Sequence, residues 1–379
     1  MSNAPTRPFI RALLIDISGN LHVGSRATPD AVEAFRRLRK SGIPFRLCSN
    51  TSKESTQSLV SRLNKLGFNV PVLPDEPSSE LESGTAFPSG GLRRYPKREV
   101  WTSIGALAQY VRNRNLKRPF LLLSPSAKEE VIRSNYASDP HGHLDMPYDS
   151  VIVGLAPDLL NYSNLNTAFR ILKGEEGNQY SACEAQTRAR SNDDLTSSPC
   201  PPLIATHKAK YIQTENPPGL SLGPGPFVSA LESAAGVEAH VIGKPAQTFF
   251  QTVINDFFAS GELEQTEQRG RIAVIGDDVE ADLGDGAVQM ELWRILVKTG
   301  KYRDGDERRP GITPPDELFD SFSSFVDSLL TAQPPYPSPY NRPRQTPFEL
   351  QKLRMIFVFN NHIQGYSQEF APLPTNDHL

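Results

Sequence analysis

Two short apolar runs, far apart in the chain, each break off in aspartate beside glycine. Leu13-Leu14-Ile15-Asp16-Ile17-Ser18-Gly19 lies near the N-terminus, and Ile272-Ala273-Val274-Ile275-Gly276-Asp277-Asp278 follows much later. Such runs read as buried parallel strands whose C-terminal ends carry acidic side chains. In open α/β sheets that edge is where ligands bind. Two strands delivering carboxylates to one edge make a hard, oxygen-lined site suited to Mg2+.

The segments around the first run alternate strand and helix. After strand 11–16, Thr28-Pro29-Asp30 is a helix-start signal, with Thr28 as cap and Pro29 in the first turn. Ala31, Phe35 and Leu38 recur at helical spacing, and Gly42 stops the helix. Phe45–Cys48 is a second strand ending at Ser49-Asn50-Thr51-Ser52, before a helix with Leu59, Leu63 and Leu66 on one face. A β-α-β-α unit of this kind implies a parallel sheet with right-handed crossovers. Further strands are expected at 119–123, 150–154, 203–206, 240–242 and 294–297. Helices are expected at 106–112 with Ser103 as cap, at 164–172, from Phe227 to Ala234, at 249–258 and at 317–330.

The fold class is therefore α/β, with a mostly parallel sheet. The expected division is a core domain from 8–73 and 220–330, an inserted α/β cap at 74–219, and an irregular tail at 331–379. Residues 74–98 and 174–202 are rich in polar and turn-forming residues and read as loops within the cap. Met355-Ile356-Phe357-Val358-Phe359 is an isolated apolar patch in the tail. A formal net charge of −3 favours no nucleic-acid partner. Mean hydropathy is −0.41, and no apolar run approaches the roughly 18 residues that span a membrane. The N-terminus lacks the apolar core of a secretory signal. Cys48, Cys183 and Cys200 have no metal-type spacing, and a sparse, odd set suits a reducing compartment. Cytosol is the default reading, and the nucleus stays open.

Several polar residues sit where strands end. Asp16 suits a carboxylate nucleophile that attacks phosphorus, and equally suits a turn bonded at Gly19. Ser49 and Asn50, just before a helix, suit phosphoryl oxygens; simple capping by Thr51 or Ser52 explains them as well. Lys244, in Gly243-Lys244-Pro245, can neutralise both a nucleophile and a transferring phosphate; solvated surface lysine is the common alternative. Asp277 and Asp278 diverge on an extended backbone, so one can bind metal while the other supports it, and Asp282 can orient the lysine or a metal-bound water. An acidic helix start is the plainer reading of these three. Yet several carboxylates beside a buried strand end repel one another without a cation, which favours metal once Asp16 is included. His207, Lys208 and Tyr211, on an inserted strand-loop, are candidates for substrate contact or plain surface groups.

The ordered set Asp16-Ile17-Ser18-Gly19, Ser49-Asn50, Gly243-Lys244-Pro245 and Gly276-Asp277-Asp278 with Asp282 resembles the haloacid dehalogenase (HAD) superfamily of phosphohydrolases. Val153-Gly154-Leu155-Ala156-Pro157, Ile204 through Tyr211 and Leu296 through Tyr302 add to the likeness, which covers most of residues 8–330. It points to the subgroup with a large cap between the second and third motifs. The resemblance implies a Rossmann-like core and an α/β cap. It implies Mg2+ held by the Asp16 carboxylate, the Ser18 backbone carbonyl and Asp277. It implies attack by Asp16, phosphate held by Ser49, Asn50 and Lys244, and support from Asp278 or Asp282. The expected substrate is a small phosphorylated molecule, pyrophosphate or a phospho-amino acid, and the cap surface can mediate a homodimer.

One departure bears on activity. Most phosphatases of the superfamily carry a second aspartate where this chain has Ser18. Serine cannot protonate a leaving group at neutral pH, and such help is worth about 10²–10⁴-fold. His22 is a candidate stand-in, although a turn or core role suits it better. Two other readings therefore stand: a phosphate- or Mg2+-binding module with little catalysis, and a scaffold that engages proteins through its inserts and tail.

Overall fold

Strand β1 (Ile10–Asp16) is buried along nearly its whole length, which places it inside a sheet covered on both faces. The structure is a computed structural model of the chain, describing residues 6–71, 98–136, 147–175, 200–215, 217–264 and 270–333. The expected loops at 74–98 and 174–202 and the tail at 331–379 lie largely outside the described residues.

After β1 comes a small antiparallel hairpin, β2 (His22–Val23) and β3 (Arg26–Ala27). Then follow α1 (Ala31–Ser41), β4 (Phe45–Ser49), α2 (Thr56–Lys65), β5 (Val100–Thr102) and α3 (Ser103–Asn113). The middle of the chain holds β6 (Pro119–Leu122), α4 (Pro125–Tyr136), β7 (Ser150–Val153), α5 (Tyr162–Leu172) and β8 (Leu203–Ala205). A hairpin of β9 (Tyr211–Glu215) and β10 (Pro218–Leu222) leads to α6 (Gly225–Ala235) and β11 (His240–Val241). The last part is α7 (Gln247–Ala259), β12 (Arg271–Gly276), α8 (Asp285–Gln289), β13 (Trp293–Val297), β14 (Glu317–Phe319) and α9 (Phe322–Ala332).

Among the described residues, two parallel sheets organise these elements. The larger has six strands in the order β14-β13-β12-β1-β4-β5, and the smaller has four, β11-β8-β7-β6. In the larger sheet the chain runs outward from β1 through β4 to β5, then restarts at β12 on the other flank. The switch point lies between β1 and β12, where Ile15 is level with Ile275. A crevice opens at such a point because the loops diverge to opposite sides. Alternate residues separate the faces. Leu13, Ile15, Ile275 and Ile295 pack with Phe35, Leu59, Phe325 and Leu329, whereas Leu14, Val274 and Leu296 pack with Phe249, Phe250 and Phe257.

The sheets divide the chain differently from the boundaries expected above. β5 extends the larger sheet by pairing with β4, although it falls in 74–219. β11 extends the smaller sheet by pairing with β8, although it falls in 220–330. Apolar patterning marks a strand but does not say which edge it joins. Helix α3 links the two layers: it starts from a strand of the larger sheet, yet Ile104, Leu107 and Val111 pack with Ile152 and Ile204 of the smaller.

Three local expectations change. Thr102, not Ser103, caps α3, its hydroxyl accepting the Gly105 N–H at 2.9 Å. Thr28 does not cap α1; its hydroxyl donates to the Asn20 carbonyl at 2.8 Å and closes the turn after β1, while α1 starts after a left-handed Asp30. The helix expected over 317–330 is an edge strand followed by α9, because Glu317–Phe319 pairs with β13 and Ser321 makes a capping box with Ser324. Cys48 is a buried free thiol. Among the described residues no helix is long and apolar enough to cross a membrane.

Candidate active site

Asp16 ends β1 with its side chain buried, and the nearest cation arrives from the other sheet. Lys244 follows β11, so the C-terminal edges of both sheets meet over the crevice. Its ammonium is fully used: it donates to Asp16 Oδ1, to Asp282 Oδ1 at 2.8 Å and to the Cys48 carbonyl at 3.1 Å. Asn50 fixes the lysine's backbone. Its amide accepts the Lys244 N–H at 2.9 Å and donates to the Lys244 carbonyl at 2.7 Å. The side chain of Asn50, expected on phosphoryl oxygens, thus bonds the Lys244 backbone through both its oxygen and its nitrogen.

Asp277 follows β12 and lies in a cradle of glycine. A Cβ on Gly19 would stand 1.9 Å from Asp277 Oδ2, and one on Gly300 would stand 2.0 Å from it. Both glycines also have positive φ, +86° and +55°, so backbone alone can approach this carboxylate so closely. Asp277 Oδ2 accepts the Lys301 N–H at 2.6 Å. Its Oδ1 is buried with no hydrogen-bond partner. A buried carboxylate oxygen without a partner is costly, and it needs a ligand to explain it.

Asp278 takes a supporting place. Its Oδ1 accepts the N–H groups of Glu280 and Ala281, each at 3.0 Å, and its Oδ2 accepts from Lys301 Nζ at 3.1 Å. Asp282 spends one oxygen on Lys244 and the other on the Asp278 N–H at 3.2 Å. Oxygens of Asp16, Asp277 and Asp282 lie within 4.8 Å of one another. Because both oxygens of Asp282 are already bonded, Asp16 and Asp277 are the better metal ligands of the three.

Four carboxylates here face two ammoniums, Lys244 and Lys301, leaving two negative charges uncompensated. Burial, reinforced by the Asp282 charge, pushes the Asp16 carboxyl up to about 7 despite Lys244. Burial also holds the Asp277 carboxyl well above the usual carboxylate range. For Asp278 burial is outweighed by Lys301 and the two backbone N–H groups, and its pKa falls below the ordinary value. Burial likewise opposes charge on Lys244 and Lys301, but the surrounding carboxylates override it and both ammoniums are firmly protonated. The missing charge, the orphaned Asp277 Oδ1 and the all-oxygen donor set together fit a hard divalent cation.

The other candidate residues fall into distinct places. Ser49 is buried at the end of β4, and its hydroxyl accepts the Thr51 N–H at 3.1 Å. Ser18 is exposed at the mouth of the turn, with no carboxylate in its place. His22 is buried in β2, where the guanidinium of Arg62 from α2 lies 2.8 Å from its Nε2. His207 is buried between the layers. It accepts the Ala209 N–H on Nδ1 at 3.3 Å, and its Nε2 meets Ser52 Oγ at 3.3 Å. Burial, with the charges of Lys301 and Lys244, pushes His207 down to about 3, so the ring is neutral. Ser52 Oγ also accepts the Leu155 N–H at 2.8 Å, which staples the smaller layer to the loop after β4. Lys208 pairs with Glu232 at 2.7 Å. With Tyr211 it lines a cavity of about 370 Å³ beside Asp278, to which neither Asp16 nor Lys244 contributes. The sequence reading includes Lys301 only within the Leu296 through Tyr302 likeness and gives it no role of its own.

Comparison with known proteins agrees with this arrangement. Residues 13–137 match the family described as haloacid dehalogenase-like hydrolase, and residues 241–325 match that described as HAD-hydrolase-like. The chain is 35% identical over 326 residues to haloacid dehalogenase-like hydrolase domain-containing protein 2 of Bos taurus, covering 86% of this chain and 98% of the relative. It is 30% identical over 326 residues to the phospholysine phosphohistidine inorganic pyrophosphate phosphatase of Rattus norvegicus, covering 85% and 94%. In fold it is similar to a 4-nitrophenylphosphatase from Thermotoga maritima, with a TM-score of 0.60 at 20% identity, covering 84% and 97%. With a parallel sheet that switches direction beside Asp16, and relatives matched over nearly their full length, the chain belongs to the haloacid dehalogenase-like hydrolases.

Proposed function

We propose that the chain is a Mg2+-dependent phosphohydrolase that works through an aspartyl-phosphate on Asp16. The observation that carries this reading is the buried Asp16–Lys244–Asp282 triad set beside the orphaned Asp277 Oδ1, two positive charges short of balance. Mg2+ held by Asp16, Asp277 and the Ser18 carbonyl would supply those charges and screen the phosphoryl oxygens from the carboxylates. Lys244 orients Asp16 and partly offsets the burial that raises its carboxyl. Asp16 attacks phosphorus as the bond to the leaving group breaks, and water then cleaves the new P–O bond, returning the carboxylate and inorganic phosphate. Ser49 would meet a phosphoryl oxygen, Lys244 would lend its charge while its three N–H groups hold Asp16, Asp282 and the Cys48 carbonyl, Asn50 would act through Lys244, and Asp278 and Asp282 would brace the loop. The smaller sheet serves as a cap over the crevice, excluding water from the acyl-phosphate. The relatives favour a small phosphorylated molecule, pyrophosphate or a phosphorylated amino-acid side chain as substrate.

Ser18 favours a second reading, a Mg2+- and phosphate-binding protein with slow turnover. No carboxylate stands at that position to protonate a poor leaving group. Phosphate release from p-nitrophenyl phosphate, pyrophosphate and phospholysine, with and without Mg2+, separates the two. Release that needs Mg2+ and disappears in Asp16→Asn supports the enzyme. Folded, Mg2+-binding protein that releases nothing supports the binder, and Ser18→Asp is then the variant to assay.

A further inference from the structure

The segment after β13 carries two lysines with opposite fates. Lys298 points outward and pairs with Asp320 at 3.2 Å, its partner 86% exposed. Lys301 turns inward and keeps only 17% of its side chain exposed. The inward turn depends on Gly300, whose backbone packs between Gly19 and Asp277; a Cβ there would stand 2.5 Å from Gly19 Cα. The Lys301 N–H then holds Asp277 Oδ2 at 2.6 Å, and its ammonium meets Asp278 Oδ2 at 3.1 Å. One residue thereby holds the far oxygen of Asp277, leaves Oδ1 facing the cluster, and adds a buried positive charge. That charge bonds neither Asp16 nor Asp282, so hydrogen bonding within the triad does not require it.

We propose that Lys301 sets the net charge of the site, so that a divalent cation neutralises the centre and a phosphoryl dianion can then enter. This rests on the phosphohydrolase reading above and adds to it a positioning residue that acts through Asp277 and Asp278. With Lys301 in place, a bound dication leaves the four carboxylates and two ammoniums with no net charge. Without it, the same centre keeps one negative charge after the cation binds, which favours the cation and repels the phosphate. A strut that only held the loop would behave differently, because its loss would loosen both ligands together.

Calorimetric titration of the full chain with MgCl2, and then with inorganic phosphate at saturating Mg2+, tests this at pH 8. Lys301→Met is expected to bind Mg2+ about tenfold tighter and phosphate about tenfold weaker, the scale of one unit charge several ångströms away at intermediate dielectric. Lys301→Arg is expected to restore both constants, and Lys298→Met to change neither. Lys301→Gln, which keeps a donor for Asp278, provides the same reading should the methionine variant not fold. Constants that weaken together, or stay at wild-type values, would overturn the proposal, and so would failure of both neutral variants to fold while the arginine variant folds. Wild-type protein that binds neither Mg2+ nor phosphate would instead overturn the phosphohydrolase reading itself.

Discussion

Among the described residues, two buried cations, Arg46 and Lys244, sit in clusters of opposite character. Arg46, in β4, is fully buried yet fully satisfied. Its guanidinium donates to Asp256 at 2.7 Å, to Glu262 at 2.5 Å, to Ser260 at 3.2 Å and to the Phe45 carbonyl at 2.9 Å, over the face of Phe257. Its two carboxylate partners each keep 22% of their side-chain surface, so water carries part of their charge. In the Asp16 centre, Asp16, Asp277 and Asp282 are buried, the carboxylates outnumber the ammoniums, and one oxygen is left unbonded. A satisfied cluster in contact with water is a structural joint. An overcharged, dry one with an orphaned atom is built to receive something.

The sharpest way to break this comparison is to remove one charge from each cluster. Asp16→Asn is expected to lower kcat by about 10³-fold or more, as loss of a nucleophile does. The same change is expected to raise the melting temperature of the Mg2+-free protein at neutral pH, because it relieves a carboxylate whose pKa burial has raised to about 7. Arg46→Ala is expected to do the reverse. It strands Asp256 and Glu262 and costs about 3–5 kcal/mol in denaturant melts, while activity per folded molecule stays near wild type. If Asp16→Asn destabilised and Arg46→Ala did not, the distinction between the clusters would be wrong.

Ligand addition is a milder probe. Mg2+ at a hundredfold excess over its Kd is expected to stabilise the wild type by about 2.7 kcal/mol. Asp277→Asn should remove most of that gain in a thermal-shift assay, whereas Arg46→Ala should keep it. The smallest effect concerns pH. His207 falls from 6.5 in the unfolded chain to about 3 when folded, so its contribution is full above 6.5 and is lost as pH falls towards 3. Asp16 has the opposite sign: raised from 3.8 to about 7, it favours the Mg2+-free fold below 3.8, and that contribution is lost as pH rises to 7. The two windows overlap with opposite signs, so melting curves in EDTA across pH 4–8 should show His207→Gln gaining on the wild type as pH falls below 6.5 and Asp16→Asn gaining on it as pH rises from 4 to 7.

Much of this centre was legible because strand ends carry local signatures. Asp16, Asp277, Asp278 and Asp282 follow apolar runs and glycine, and Lys244 sits between glycine and proline at a strand end. Asn50 was legible as a site residue, but its bonds to the Lys244 peptide were not, because that peptide belongs to the other layer. The burial of Lys301 was not legible, because it depends on Gly300 packing against Gly19, a contact between opposite ends of the chain. His207 was legible as a residue of the inserted layer, but its neutrality comes from being stapled to Ser52 and faced by two lysines.

By itself, then, the sequence determined that the chain is α/β, that two aspartate-ended strands anchor it, and which residue types reach the strand ends. Those properties follow from hydrophobic period and turn chemistry, which act over a few neighbours. Tertiary structure alone decided that β5 joins the larger sheet and β11 the smaller, that Lys244 reaches Asp16 from the smaller layer, and that Asp277 keeps one bare oxygen. Pairing edges, burial and net charge in a crevice are sums over residues distant in the chain, and no local pattern encodes such a sum.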